Sequence, residues 1–292
     1  MVNEVCERER KQYIEDKSKS SSMLKFLYNT VIGRILLKLI FTRKTVSNIY
    51  GFYMKSRLSK AKIDKFIEKH NIDLEEYEKT EYKNFNEFFI RQIKKENRPV
   101  NMNKNVLIAV ADGKLKRYKI TEDLKLHIKN SIYSIEELVE DTEIIKRYAG
   151  GECLIIRLSL ENYHRYCYID NGIHKKSKKI NGILHTVQPI SQDKYKVYAK
   201  NSREWTTLDT NNFDDVIQIE VGALLVGKIN NYYEKYKFKK GEEKGYFEFG
   251  GSTIVLLIKK DVVNIDDDII ENSEEDIETI VKMGERIGEK IC

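Results

Sequence analysis

Near residue 106 the spacing of apolar residues changes, and with it the kind of structure the chain can build. Upstream, apolar positions recur at three- and four-residue intervals, which places them on one face of a helix. Ile63, Phe66 and Ile67 suggest a helix ending near His70, and Asn84 suits the cap of another in which Phe85, Phe88 and Phe89 are apolar; Arg98-Pro99 closes that stretch. Downstream, residues 106–111, 153–158, 216–221 and 254–258 are short runs rich in branched side chains and bounded by Gly, Asn or Asp, which is how strands read. Asp170-Asn171-Gly172 is a strong turn signal that suits a hairpin. The expected fold class is α+β: N-terminal helices followed by a β-rich, mainly antiparallel body, with an acidic helical tail from about residue 273. A chain of 292 residues can bury a sizeable core, and its 2 prolines and 15 glycines exclude a collagen-like or proline-rich disordered protein.

The two ends carry opposite charge. Residues 1–60 hold thirteen Lys/Arg against five Asp/Glu, whereas residues 261–292 hold three against eleven, in a chain of net charge +6. A basic start suits an anionic partner, either nucleic acid or an acidic membrane surface, and it equally suits a solvated lysine-rich face. Residues 4–22 are polar and end in Ser-Lys-Ser-Ser-Ser, which reads as a mobile lead-in. Between residues 23 and 41, Leu24, Leu27, Val31, Ile35 and Leu39 recur at helical spacing beside Lys25, Arg34 and Lys38. That stripe is too interrupted to cross a bilayer; a helix lying in the membrane interface and an ordinary core helix both fit it. The expected division is a lead-in and membrane-peripheral helix over 1–45 and a main body over 46–292. The first twenty residues are too charged for a secretory signal. Cys6, Cys153, Cys167 and Cys292 lie far apart with no C-x-x-C, which points to reduced thiols rather than a disulfide scaffold or zinc ribbon.

Four segments carry candidate chemistry. Ala111-Asp112-Gly113 puts a carboxylate where an apolar run meets a turn, and Tyr163-His164-Arg165-Tyr166-Cys167 groups an imidazole, a guanidinium and a thiol. His185 sits in a strand-like stretch after Gly182, and Gly250-Gly251-Ser252-Thr253 stands immediately before an apolar strand. Taken singly, each has a plain structural explanation: Asp before Gly is usually a turn residue, and Gly-Gly-Ser a loop or bulge. His164 and Cys167 are at most half of a metal site, with no second ligand pair at zinc-like spacing, so no metal is expected. Neither G-x-G-x-x-G nor G-x-x-x-x-G-K-S is present. Composition and spacing stop at a candidate Asp–His–Ser set.

In order and wording these segments resemble the phosphatidylserine decarboxylases, pyruvoyl-dependent enzymes that make phosphatidylethanolamine. The likeness runs from about residue 45 to 286. It rests on Phe85-Asn-Glu-Phe-Phe-Ile-Arg91, Arg98-Pro99, Ala111-Asp112-Gly113, Tyr163-His164-Arg165, His185-Thr-Val-Gln-Pro189 and Asn201-Ser-Arg-Glu204. Val221-Gly-Ala-Leu-Leu-Val-Gly227 and Lys244-Gly-Tyr-Phe-Glu-Phe-Gly-Gly-Ser-Thr253 complete it. The last motif is the most specific, because the family processes itself at its Gly-Ser bond. The resemblance implies cleavage between Gly251 and Ser252 into chains 1–251 and 252–292 that stay together as a heterodimer. It implies a covalent pyruvoyl cofactor made from Ser252, which forms a Schiff base with the substrate amine. Asp112 resembles the family's orienting carboxylate, and His164 takes by position the place of the histidine associated with decarboxylation. Phosphatidylserine is the implied substrate, and the implied location is peripheral, on the cytoplasmic face of the cell membrane, with an anionic lipid surface as partner and no nucleic acid.

One position departs from the pattern. The family usually reads His-Arg-x-His, and its second histidine resembles the base of the processing triad. Here that position is Cys167, which leaves the base open between His164 and Cys167. The departure motivates a rival reading as a non-catalytic lipid-binding relative that fails to mature. The basic start and 18 tyrosines motivate another, as a nucleic-acid-binding protein.

Overall fold

The computed structural model describes residues 4–8, 10–16, 22–38, 44–128, 131–187, 189–192, 196–223, 228–232 and 236–291. Strands β1 (Glu4–Glu7) and β2 (Gln12–Glu15) come first, followed by helices α1 (Ser22–Asn29), α2 (Val31–Leu36), α3 (Lys44–Lys55), α4 (Ile63–His70) and α5 (Phe85–Phe89). The body then opens with β3 (Val106–Ile108), β4 (Gly113–Lys119), β5 (Lys125–Ile128) and β6 (Ser131–Ser134). After α6 (Ile135–Val139) and α7 (Thr142–Ile145) come β7 (Glu152–Leu158), β8 (Arg165–Cys167) and β9 (Gly172–Ile180). Short helices α8 (Pro189–Gln192) and α9 (Val197–Lys200) lead to β10 (Arg203–Thr210), β11 (Asp215–Val221), β12 (Ile229–Asn231), β13 (Lys237–Phe238) and β14 (Glu243–Phe247). The chain closes with β15 (Ser252–Ile258), β16 (Val263–Ile265), α10 (Asp267–Glu274), β17 (Glu278–Val281) and β18 (Arg286–Lys290).

Ten strands form the main sheet, in the order β13-β9-β10-β11-β15-β7-β4-β17-β1-β2. Its pairings are antiparallel except β1 with β17, as the α+β reading anticipates. Strand β15 lies at the centre and every one of its residues is buried. Because side chains alternate along a strand, Ile254, Leu256 and Ile258 join one core, with Leu154, Ile156 and Leu158 of β7. The small sheets β12-β14-β8 and β16-β18-β3 cover that face. Val255 and Leu257 join the opposite core with Trp205, Tyr133, Leu138 and Tyr198, under β5, β6, α6 and α9. Fully burying one such aliphatic or aromatic side chain contributes about 1.5–3 kcal/mol, so the central strands β11, β15 and β7, each buried throughout, are firmly anchored.

Four parts of the chain differ from the sequence reading. The Asp170-Asn171-Gly172 turn joins β8 to β9, which pair in different sheets and so form no hairpin with each other. The polar residues taken for a lead-in include β1 and β2, with Val5 and Cys6 buried and β1 hydrogen-bonded alongside β17. The single stripe expected over residues 23–41 breaks at Thr30, whose hydroxyl accepts the Gly33 N–H at 2.9 Å and starts α2 as a new helix. Gly33 is needed there, because a Cβ would lie 2.1 Å from the Phe26 carbonyl oxygen. Leu39 falls outside the described residues. Lastly, the acidic tail is helical only over α10; β17 and β18 follow it. Their charged residues masked the burial of Thr279, Val281 and Ile287.

Candidate active site

Helix α5 starts where Asn84 Oδ1 accepts the Glu87 N–H at 2.9 Å. That start turns Phe85, Phe88 and Phe89 into an aromatic core with Met54, Ile63 and Tyr82. Phe89 reaches furthest into the body: its ring lies 4.2 Å from the His164 ring and 5.0 Å from that of Phe249. His164, just before β8, is wholly buried against this aromatic wall.

Two contacts fix the state of that imidazole. Nε2 lies 2.9 Å from the Ser159 carbonyl oxygen, and Nδ1 lies 3.2 Å from Ser252 Oγ. A carbonyl only accepts, so Nε2 carries the proton and Nδ1 presents its lone pair to the serine hydroxyl. Burial pushes the His164 pKa down to about 3; the Ser159 contact opposes the shift and the Arg91 charge adds to it. The ring is therefore neutral at ordinary pH.

Ser159 is itself held. Its N–H donates to Asn162 Oδ1 at 2.7 Å, and its carbonyl also accepts the Asn162 N–H at 3.0 Å. Its hydroxyl lies 3.3 Å from Arg157 Nη1, and Arg157 pairs with Asp16 and, through Nε at 2.9 Å, with Glu278. A buried ionic cluster thus stands behind the carbonyl that orients His164. The sequence offered no signal for Ser159 or Asp16, since neither lies in a recognisable motif.

Ser252 is the first residue of β15, fully buried and paired with Leu158 at the end of β7. The glycine before it has ordinary room: a Cβ on Gly251 would sit 3.5 Å from Val187 Cγ2 and 3.8 Å from the Leu158 carbonyl oxygen. The conformational demand falls one residue earlier, at Gly250, where φ is 138°.

Asp112 and Cys167 lie elsewhere. Asp112 takes a forked contact from Arg98, whose Nη2 is 2.7 Å from Oδ2, and accepts the Met283 N–H at 2.8 Å. No hydrogen bond joins it to His164 among the described residues. Cys167 is buried beside a cleft lined by Arg98, Tyr163, Lys240 and Met283. Burial pushes its thiol up to about 12, with the Asp112 and Glu243 charges adding to that shift. Of the Asp–His–Ser set, the structure joins His164 to Ser252 and leaves Asp112 with Arg98. His185 lies under α1, its Nδ1 3.2 Å from the Tyr28 hydroxyl, and burial lowers its pKa to about 4. Among the described residues no group of three or more His, Cys, Asp or Glu could hold a metal.

A buried serine facing the free nitrogen of an oriented imidazole, directly after a glycine pair, has the arrangement that a nucleophile and its base require. Comparison with known proteins shows the family. The family model for phosphatidylserine decarboxylase matches residues 85–289. The phosphatidylserine decarboxylase proenzyme 2 of Clostridium acetobutylicum is 52% identical over 285 residues, spanning 98% of each chain. The phosphatidylserine decarboxylase proenzyme of Clostridium botulinum strain Langeland is 44% identical over 291 residues, and that of Clostridium novyi is 38% identical over 295. These alignments cover 97% and 98% of this chain and 98% and 99% of those relatives. With a family model covering most of the chain and near full-length relatives at such identity, this chain belongs to the phosphatidylserine decarboxylase family.

Proposed function

We propose that this chain is a self-processing phosphatidylserine decarboxylase that converts phosphatidylserine to phosphatidylethanolamine. The contact between His164 Nδ1 and Ser252 Oγ, with Nε2 held by Ser159, carries the reading. Ser252 Oγ bonds to the Gly251 carbonyl carbon while its proton passes to His164 Nδ1. The Gly251–Ser252 C–N bond then breaks and its nitrogen takes up that proton, leaving an ester. Loss of the Ser252 Cα proton expels the Gly251 carboxylate from Cβ. Water finally replaces the nitrogen at residue 252, which leaves as ammonia, and a pyruvoyl group remains as the new N-terminus of a 41-residue chain, 252–292.

The residues fit that group. Position 252 is buried and paired with Leu158 of β7, with His164 beside it and Phe89 packed on that imidazole. There the ketone supplies an electron sink for a carbon that loses CO₂. His164 stays beside position 252, placed to return a proton to that carbon. Asp112 enters as a positioning residue, joining Arg98 of the long chain to the Met283 amide of the short one. The thiol of Cys167 is too weak an acid to serve as thiolate base.

The division into 1–45 and 46–292 belongs to the same reading, with modification: the first segment contributes the surface that meets the membrane, although β1 and β2 within it are part of the sheet. Met23, Phe26, Val31, Ile32 and Ile35 of α1 and α2 are exposed apolar residues, and Ile49, Phe52 and Leu58 on and after α3 extend the set. Exposed Lys25, Arg34, Lys38, Lys55 and Arg57 accompany them. Apolar residues among cations suit an anionic lipid surface, in line with a peripheral enzyme on the cytoplasmic face of the membrane. No described helix is long and apolar enough to cross a membrane.

Intact mass of the purified protein tests the central claim. The expected result is the 41-residue fragment with a blocked N-terminus, release of CO₂ from phosphatidylserine without added cofactor, and a single uncut chain in Ser252→Ala. A wild-type chain that stays whole after long incubation would leave the non-catalytic lipid-binding reading in its place.

A further inference from the structure

The motif His185-Thr186-Val187 is left unused by the chemistry above, yet it touches both the cleavage site and the outermost helices. Asn201, fully buried, accepts the His185 N–H at 3.0 Å and donates to the His185 and Gly222 carbonyls, each at 2.8 Å. That fixes one side of the segment to the body. On the other side Tyr28 of α1, also fully buried, accepts the Thr186 N–H at 3.0 Å and lies 3.2 Å from His185 Nδ1. Val187, at the end of the segment, packs on Ala223, and its Cγ2 is the nearest group to the side of Gly251 where a Cβ would stand. The acyl carbon of Gly251 is the atom that Ser252 attacks in the processing step.

Helices α1 and α2 therefore have two faces with different neighbours. Leu27, Tyr28 and Leu37 face inward and pack with Ile190 of α8, just beyond the segment. Val31, Ile32 and Ile35 face outward and uncovered. The Tyr28 hydroxyl is the polar link between these helices and residues 185–186. Val187, the next residue, stands beside Gly251.

We infer that Tyr28 is a positioning residue that couples docking of the α1–α2 hairpin on a lipid surface to the geometry of the Gly251–Ser252 peptide, so that membrane contact speeds self-cleavage. The inference rests on the self-processing, membrane-peripheral reading above. A displacement of about 1 Å in a reacting group changes rates by up to about 100-fold, so a small movement of Val187 beside Gly251 is enough to matter.

The full chain, made by cell-free synthesis without lipid, is followed by intact mass with and without vesicles of phosphatidylglycerol and phosphatidylcholine. These vesicles contain no substrate, so turnover cannot confuse the readout. Wild type is expected to cleave about tenfold faster with vesicles. Tyr28→Phe keeps the outer face and is expected to sediment with vesicles as wild type does, yet to cleave at one slow rate in both conditions. Val187→Ala leaves the helices untouched and is expected to blunt the acceleration too; it decides the matter should Tyr28→Phe fold poorly. Acceleration retained in both variants overturns the coupling, as does a slowing by the same factor with and without vesicles, which is what a merely structural role would give. Wild-type cleavage at equal rates in both conditions overturns the coupling alone. A wild-type chain that never cleaves overturns the self-processing reading and the coupling with it.

Discussion

At the scale of single residues, the site turns on which group takes the proton of Ser252. Position 167, where the family usually has histidine, holds a thiol that burial pushes up to about 12, so at neutral pH it stays protonated. His164 is neutral and aimed, and the burial that lowers its pKa to about 3 makes uptake of the serine proton an uphill step. His164→Ala is expected to stop cleavage, while Cys167→Ser should change its rate by less than about threefold, since thiol and hydroxyl alike are silent there. A time course of intact mass checks both; cleavage in His164→Ala that disappears in Cys167→Ser would move the base to position 167. The sequence showed His164, Ser252 and Asp112 as candidates because each sits in a motif. It could not show that the Ser159 carbonyl holds His164 toward Ser252 while Arg98 draws Asp112 away, because the Ser252 and Arg98 contacts join residues 88 and 14 positions apart.

At the scale of elements, periodicity was a good guide where one face is buried and a poor one where both faces carry charge. Helix α5 was legible because Asn84 and its three phenylalanines are local signals. Strand β9 was not, since its lysines hide the alternation and only its Gly172 turn was visible. The pattern of residues 23–41 announced an amphipathic helix, but its break at Thr30 depends on Gly33 packing against Phe26, a contact that spacing does not encode. That break leaves the outer face of α2 bare and sets it beside no described partner. Phe52 of α3 is 80% exposed and Ile32 of α2 66%, so an aspartate at either position should leave the fold intact while removing apolar area from the membrane contact. Each buried side chain of this size is worth about 1.5–3 kcal/mol, or roughly a tenfold or greater loss in vesicle affinity. Ile32→Asp and Phe52→Asp are therefore expected to weaken sedimentation with anionic vesicles at constant salt. Unchanged sedimentation would remove these faces from the membrane, and equal retention on duplex DNA and on vesicles would reduce the interaction to charge alone.

At the scale of the whole molecule, the opposite charges of the two ends have a use within the chain. Arg8 pairs with Asp266, Asp268 and Glu285 at 2.9, 2.6 and 3.1 Å, and the acidic end also reaches Arg157 of β7, in the middle of the chain, through Glu278. The sequence made the asymmetry visible but not its partner, which lies some 260 residues away. These contacts cross the proposed cut. Cleavage before Ser252 would free a short chain whose β15 lies between β11 and β7, whose β17 lies between β4 and β1, and whose β18 pairs with β3. Two of its strands are thus interior to the main sheet, so the short chain cannot leave without dismantling that sheet. Unfolding of the cut protein must then also be dissociation, and its stability must depend on concentration, about 1.4 kcal/mol for each tenfold change. The uncut Ser252→Ala chain has the same contacts but unfolds as one molecule. Urea unfolding across a hundredfold range of protein concentration should therefore move the midpoint of the cut protein upward and leave that of Ser252→Ala in place. Elution of the two fragments as separate species in native buffer, or a midpoint of the cut protein that ignores concentration, would show that the short chain is not built into the sheet as described.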